Sequence, residues 1–308
     1  AVTHAPYEDQ SALAAFAASV AVVTYEFENV PVAAVDALAE TVPVLPGRAA
    51  LATSQDRFDE KSFFARHALG TAPFALVTGP ADLPAALART GLPAILKTCR
   101  FGYDGKGQAR VADLDEAGAA FDALGGVPVI AEGVVAFSAE ISVIAARGRD
   151  GAVAAYDPGL NAHEGGILRR TTVPAPIPGC LKTDAVLMAS RILTELDYVG
   201  VLGVELFVTP EGLLVNEIAP RVHNSGHWTQ NGCAVDQFEQ HIRAIAGWPL
   251  GDGKRHADVT MENLIGNDVT RVPALAAEAD TAIHLYGKAD ARPGRKMGHV
   301  NRIRPLGA

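Results

Sequence analysis

Apolar positions in the first seventy residues fall into short runs separated by polar turns. Their spacing predicts a helix over 11–19, a buried strand over "VAVVTYEF" (20–27) and a second helix over 32–40. After "VLPGRAAL", the placement of Phe58, Phe63 and Leu69 among charges predicts one amphipathic helix over 54–69, with Ser54 as its cap. This βα alternation is what a parallel sheet with covering helices requires. From "TAPFALV" to about residue 136 the elements are short strands and helices. From about 137 the strands lengthen: "FSAEISVIAAR" alternates, turns at "GRDG" and resumes at "AVAAYDP". Helices are expected over 183–196, with Val186, Ala189, Leu193 and Leu196 on one side, and over 234–246, closed by Gly247 with Pro249 just beyond. There is no internal repeat and no low-complexity tract.

Two strand patterns rich in Val, Leu and Ile flank "TPEG" in "GVLGVELFVTPEGLLVNEIAPR" (200–221). Pro210 suits the second position of a turn and Gly212 the left-handed position of a three-residue loop. That loop pairs Thr209 with Leu213, and the same register sets Glu205 directly opposite Glu217. Like charges facing each other across a strand pair are destabilising, more so in apolar surroundings. A divalent cation between them reverses the sign, and two carboxylates plus nucleotide phosphates are a usual way to hold magnesium. A solvated sheet edge, or a one-residue slip that turns one glutamate away, would need no metal.

"FGYDGKGQ" (101–108) raises a second chemical question, because glycine-rich loops often hold phosphate. It fits neither the Walker pattern nor the dinucleotide fingerprint, and no helix follows it. Between "PAILKTC" and "QARV" it reads as the tip of a hairpin: a flap, or an ordinary long turn.

Composition narrows the setting. A chain of 308 residues, 49% hydrophobic and 20% charged, suits a folded globular protein of two or three domains. No apolar run approaches bilayer-spanning length and no signal-peptide pattern is visible. Cys99, Cys180 and Cys233 are odd in number and widely spaced, which fits reduced thiols and a cytoplasmic location. The net charge of −9 argues against a general nucleic-acid or membrane surface, so anions must be met by local cationic clusters. "GKADARPGRKMGHV" is one, gathering Lys288, Arg292, Arg295 and Lys296; on its own it would be a solvated basic turn.

Together "VVTYEFENVP", "ILKTCRFGYDGKGQ", "HEGGILRRT", "LLVNEIAPRVHNSGHWTQNG" and "RPGRKMGHV" resemble bacterial 5-(carboxyamino)imidazole ribonucleotide synthetases, ATP-grasp ligases of purine biosynthesis. The resemblance spans almost the whole chain. It implies an α/β (α+β) ATP-grasp fold in three parts: an N-terminal pre-ATP-grasp α/β domain over 1–74, a lid with the glycine-rich flap over 75–136, and a large subdomain with the substrate-phosphate region over 137–308. Family members open with a strand, glycine-rich turn and helix ahead of the region matching "TYEFENVP", and carry a further C-terminal segment. The chain is therefore expected to be the central, larger part of such an enzyme, with an incomplete first domain.

The implied reaction makes carboxyphosphate from ATP and bicarbonate. The carboxyl group then passes to the exocyclic amine of aminoimidazole ribonucleotide, releasing ADP and phosphate. ATP and Mg2+ are the implied cofactors, and a homodimer the implied assembly. By position, Lys97 resembles the lysine on the ATP α- and β-phosphates and Arg57 the arginine reaching the nucleotide from the first domain. Gly102, Tyr103, Asp104, Gly105, Lys106, Gly107 and Gln108 match the mobile loop over the phosphates. Glu132 resembles the hinge acid at the adenine end, with Gly133, Val134 and Val135 along the base pocket. Glu140 matches the ribose-binding carboxylate, His163 a nucleotide-contacting histidine, Asn216 an amide near the phosphates, and Glu205 and Glu217 the magnesium ligands.

Asp104 and Lys106 also match residues that meet the amine substrate and bicarbonate; many relatives have Arg in place of Lys106. Arg221, His223 and Asn224 are expected at bicarbonate or carboxyphosphate, and Lys288, Arg295 and Lys296 on the ribonucleotide phosphate. Two other readings remain open: a formate-dependent glycinamide ribonucleotide ligase of the same superfamily, and a nucleotide-binding protein without turnover.

Overall fold

Helices α1 (Gln10–Ala17) and α2 (Val32–Ala39) bury Ala17, Ala34, Val35 and Leu38. The run 20–27 between them does not form the expected strand. Val23 alone makes a parallel bridge, to Val44, with its N–H donating to Pro43 O and its carbonyl accepting from Leu45 N–H. Apolar spacing reported burial, which Val23 and Tyr25 achieve; a strand needs a ladder partner along its length as well. The computed structural model describes residues 2–102 and 106–307, so Tyr103, Asp104 and Gly105 of the flap lie outside the described residues.

The single helix expected over 54–69 is two, α3 (Arg48–Gln55) and α4 (Arg57–Arg66). Asp56 makes the break. Its backbone is extended, and its carboxylate accepts from the amides of Phe58 and Asp59, capping α4 in place of Ser54. Ser54 instead lies inside α3, its hydroxyl donating to Leu51 O.

A first sheet combines β1 (Phe74–Val77), β2 (Ala94–Thr98), β3 (Gln108–Val111) and β4 (Val129–Gly133) in the order β1-β4-β2-β3, all antiparallel. Helices α5 (Leu83–Thr90) and α6 (Leu114–Ala123) supply Leu87 and Phe121 to the core beneath it. β2 and β3 pair Lys97 with Gln108, so the glycine-rich segment is the tip of a hairpin.

The larger sheet runs β10-β9-β5-β7-β8-β11-β13-β12, with β6 beside β5, again antiparallel throughout. Its strands are β5 (Ala139–Arg147), β6 (Val153–Ala155), β7 (Gly159–Glu164), β8 (Ile167–Val173), β9 (Gly200–Thr209), β10 (Gly212–Ala219), β11 (Asp258–Ile265), β12 (Thr281–Leu285) and β13 (Lys296–Arg304). Helix α7 (Gly179–Glu195) presses Ala185, Ala189, Ile192 and Leu193 against Ile141, Val143, Leu202 and Val204. This face is rotated from the one expected: Val186 is only partly buried. A short turn, α8 (Thr229–Gly232), precedes α9 (Gln237–Ala246), which Asp236 caps and Gly247 ends at φ 75°. Among the described residues no helix is long and apolar enough to cross a membrane.

Candidate active site

The hairpin β9–β10 carries the acidic centre, by a route different from the one expected. Its loop has two residues, not three: Thr209 pairs with Gly212, and the Thr209 hydroxyl donates to Gly212 O across the turn. On that register Val215 faces Leu206, and Asn216 would meet Glu205. A β-bulge between Val215 and Glu217 inserts the residue that the shorter turn lacks. From there on Glu217 faces Glu205, so the glutamate pair forms although the predicted turn does not.

Burial and then the Glu217 charge push the Glu205 carboxyl up to about 8. Burial acts on Glu217 in the same direction, but Arg57 and Lys97 outweigh it and hold that carboxyl below its ordinary value. One acid is thus proton-prone and its neighbour ionised, as two carboxylates sharing a buried site must be. Among the described residues no three His, Cys, Asp or Glu side chains converge on one metal site. A pair of hard oxygen ligands open to a cleft suits magnesium shared with phosphates, not a protein-only cage.

Helix α4 brings Arg57 to this pair. Its Nη1 lies 3.1 Å from Glu217 Oε2 and its Nη2 donates to Gly102 O at 3.1 Å, tying strand β10 to the base of the flap. Gly107 closes that base: at φ 68° its carbonyl accepts from Thr98 N–H, and a Cβ would sit 2.7 Å from Thr98 Oγ1. On β2, Lys97 Nζ donates to Glu132 Oε2 at 2.9 Å. Glu132 is buried in β4 beside Lys61 as well.

Glu140 on β5 and His163 on β7 meet at 2.6 Å. Burial draws the imidazole down, but Glu140, followed by Glu205 and Glu217, leaves it above its ordinary value. His223 is the opposite case. Burial, then Arg221 and Lys296, hold it well below the ordinary range, so the ring is neutral. Its Nδ1 meets Ser225 Oγ at 2.8 Å, Ser142 Oγ donates to Ser225 Oγ, and Nε2 lies 3.5 Å from Glu205 Oε1. Gly203 makes room for this ring, since a Cβ there would lie 2.7 Å from His223 Cβ. Asn224 exchanges two hydrogen bonds with Asn263.

These groups line one cleft of about 1340 Å³, whose wall includes Arg57, Lys97, Gly102, Gln108, Glu140, His163, Glu205, Asn216, Glu217, Arg221, His223 and Asn224. Lys288 and Lys296 line the same cleft, as do Tyr286 and His227. Lys288 Nζ donates to Lys296 O and sits 5.5 Å over the Tyr286 ring. Arg295 is not in that wall: its guanidinium turns back to donate to Asp290 O. Lys106, Gly107, Glu132 and the segment Gly133, Val134 and Val135 also lie off it.

Sequence reasoning missed three residues. Glu28 binds the Arg221 guanidinium through Nε and Nη2 at 2.5 and 3.1 Å from 193 positions away, with no local signal. Glu60 and Lys61 follow Arg57 at spacings of three and four on α4, a same-face pattern available once the helix was drawn.

Comparison with known proteins agrees with this architecture. Family models match a ribonucleotide synthetase pre-ATP-grasp domain over residues 1–55, an ATP-grasp domain over 62–238 and a phosphoribosylaminoimidazole carboxylase C-terminal domain over 260–305. N5-carboxyaminoimidazole ribonucleotide synthase from Brucella melitensis is 56% identical over 304 residues, 98% of this chain and 84% of that protein. The Pseudomonas aeruginosa synthase is 46% identical, over 96% of this chain and 81% of its own length. Among solved structures, the Thermus thermophilus synthetase superposes with a TM-score of 0.91 at 46% identity, covering 98% of this chain and 82% of the other. An Aspergillus clavatus synthase, solved with ADP and 5-aminoimidazole ribonucleotide, gives 0.91 at 30% identity, covering 98% and 81%. A cleft lined by both paired glutamates and paired lysines, on this fold and with these relatives, places the chain in the N5-carboxyaminoimidazole ribonucleotide synthase family of ATP-grasp ligases.

Proposed function

We propose that the protein carboxylates the exocyclic amine of 5-aminoimidazole ribonucleotide with ATP and bicarbonate. The observation that carries this reading is the single cleft joining Glu205 and Glu217 to the cationic pair Lys288 and Lys296. One cleft thereby offers groups for a triphosphate and for a ribonucleotide phosphate. In the first step a bicarbonate oxygen attacks the γ-phosphorus, and the bond to the ADP oxygen breaks. In the second the amine nitrogen attacks the carboxyphosphate carbon, phosphate leaves, and the amine gives up a proton.

Residues of this chain supply alignment and charge. Lys97 and Arg57 hold the nucleotide phosphates, Gly102 and Gly107 let the flap backbone approach them, and Glu140 with His163 holds the ribose end. Arg221, oriented by Glu28, receives bicarbonate and then carboxyphosphate, with neutral His223 and Asn224 beside it. Glu205 and Glu217 would hold magnesium, which would supply charge neutralisation at the transferred phosphoryl group. Asp104 and Lys106 meet the amine and close the site, keeping water from the labile acyl phosphate. The reading extends to a cytoplasmic homodimer; sedimentation would report the assembly.

ADP release decides the substrate. It is expected with bicarbonate plus aminoimidazole ribonucleotide and not with formate plus glycinamide ribonucleotide; the reverse result, or no release with either pair, rejects the assignment. Lys288→Ala is expected to raise the KM for aminoimidazole ribonucleotide by about tenfold while leaving the KM for ATP unchanged, because one charged phosphate contact is lost. Arg295→Ala tests the third clamp residue, which reaches the phosphate only by swinging away from Asp290 O. It too should weaken the ribonucleotide more than ATP, and equal weakening of both would signify a folding defect.

A further inference from the structure

The bulge at Asn216 is what brings the two glutamates together, and the backbone groups on either side of Glu217 are met from outside the hairpin. β10 is the edge strand of its sheet, and its outer backbone groups meet α4 and the segment after it. At Val215 the N–H donates to Gly70 O and the carbonyl accepts from Thr71 Oγ1. Beyond Val215 the partners are side chains. Lys61 Nζ donates to Asn216 O at 2.7 Å and to Thr71 Oγ1 at 3.0 Å, while Glu60 Oε1 accepts from Ile218 N–H at 2.8 Å.

Glu60 and Lys61 are 3% and 2% exposed. Burying an ammonium and a carboxylate is costly unless each meets a partner, and these two meet the backbone on either side of Glu217. In the unbulged register the strand alternation would reverse, turning the Ile218 N–H away from Glu60. Asn216 would then face Glu205, and Glu217 would pass to the opposite face of the sheet.

We propose that Glu60 and Lys61 are positioning residues that select the bulged register of β10 and so set Glu217, not Asn216, opposite Glu205. The consequence for metal binding rests on the proposed magnesium site; the register itself does not. Two measurements separate them. In metal-free Lys61→Met, amide exchange at residues 216–218 should rise about tenfold or more, the worth of a lost backbone partner, with β5 amides such as Val143 unchanged. Mn2+ affinity in the presence of ADP, read by electron paramagnetic resonance, should fall by about tenfold or more. Phe63→Leu, a core change on the same helix, should lower stability yet leave Mn2+ affinity within about twofold.

Uniform acceleration across the sheet, with Mn2+ weakened no more than in Phe63→Leu, overturns the proposal. Mn2+ bound equally by wild type and Glu205→Gln would instead discard the metal site, leaving the exchange profile to judge the clamp. If Lys61→Met does not fold, Thr71→Val removes the anchor shared by Lys61 and Val215 O. It should show the same local pattern at about threefold, and unchanged exchange at 215–218 overturns the proposal in that variant too.

Discussion

Glu205→Gln is expected to abolish most ADP release, by about 10²-fold or more, while leaving the metal-free fold as stable as wild type or slightly more stable. The activity loss follows from removing a ligand of the proposed magnesium, since even indirect support of a metal ligand is worth 10–100-fold. The stability gain follows from removing the cost of keeping buried Glu205 protonated beside an ionised Glu217, by roughly a few tenths to 1 kcal/mol.

The pH dependence has a definite sign. Burial and the Glu217 charge move the Glu205 carboxyl from 4.5 to about 8, so the folded state keeps a proton that the unfolded chain releases. Wild type should therefore lose stability as pH rises from about 4.5 towards 8. The glutamine variant should lack this part of the slope. Glu60, also raised to about 8 by burial and by Glu217, keeps its own contribution. Melting temperatures across this range without metal, together with ADP release, test the claim. A variant that melts lower at pH 7.5 yet turns over normally would place the metal elsewhere.

Lys97→Ala is expected to weaken ATP by about 10²-fold, the loss of a charge-assisted contact to phosphate in a partly desolvated cleft. Lys97 also serves Glu132, whose carboxylate is buried and lies 3.9 Å from Lys61 as well. The same variant should therefore lose about 1–3 kcal/mol of stability through an underpaired buried acid. Burial raises the Glu132 carboxyl, but Lys61 and Lys97 together hold it below its ordinary value. Its stabilising share is present above about pH 4.5 and fades as pH falls. Wild type and Lys97→Ala should accordingly converge in stability on the acid side. Calorimetric titration with ATP and melting curves at two pH values separate the two effects. Unchanged ATP affinity rejects the phosphate role whatever the melting curves show.

Side-chain types at fixed local spacing made much of the site legible. Glycines at 102 and 107 around a hairpin tip, Lys97 at the strand end before it, and glutamates on both arms of a second hairpin are short-range patterns. Their consequences follow from alternation along a strand, which any sequence displays. The same local reading failed where two local options compete. Asp56 and Ser54 both offer a capping oxygen, and the choice fell to Asp56 as Arg57 N–H turned to Cys99 O. The run 20–27 is apolar enough for a strand, but only Val23 finds a neighbour to bridge.

By itself, then, the sequence determined which residues are available to bind phosphate and metal, and that two glutamates occupy neighbouring strands. The tertiary structure alone decided how they are held. Arg57 reaches Glu217 from 160 positions away, and Glu28 orients Arg221 from 193. The turn closed with two residues, and backbone groups on β10 found partners on α4, so the glutamate register came from outside the hairpin. The physical reason is that periodicity encodes which face a residue takes, whereas register depends on unpaired backbone groups finding donors and acceptors wherever the rest of the chain presents them.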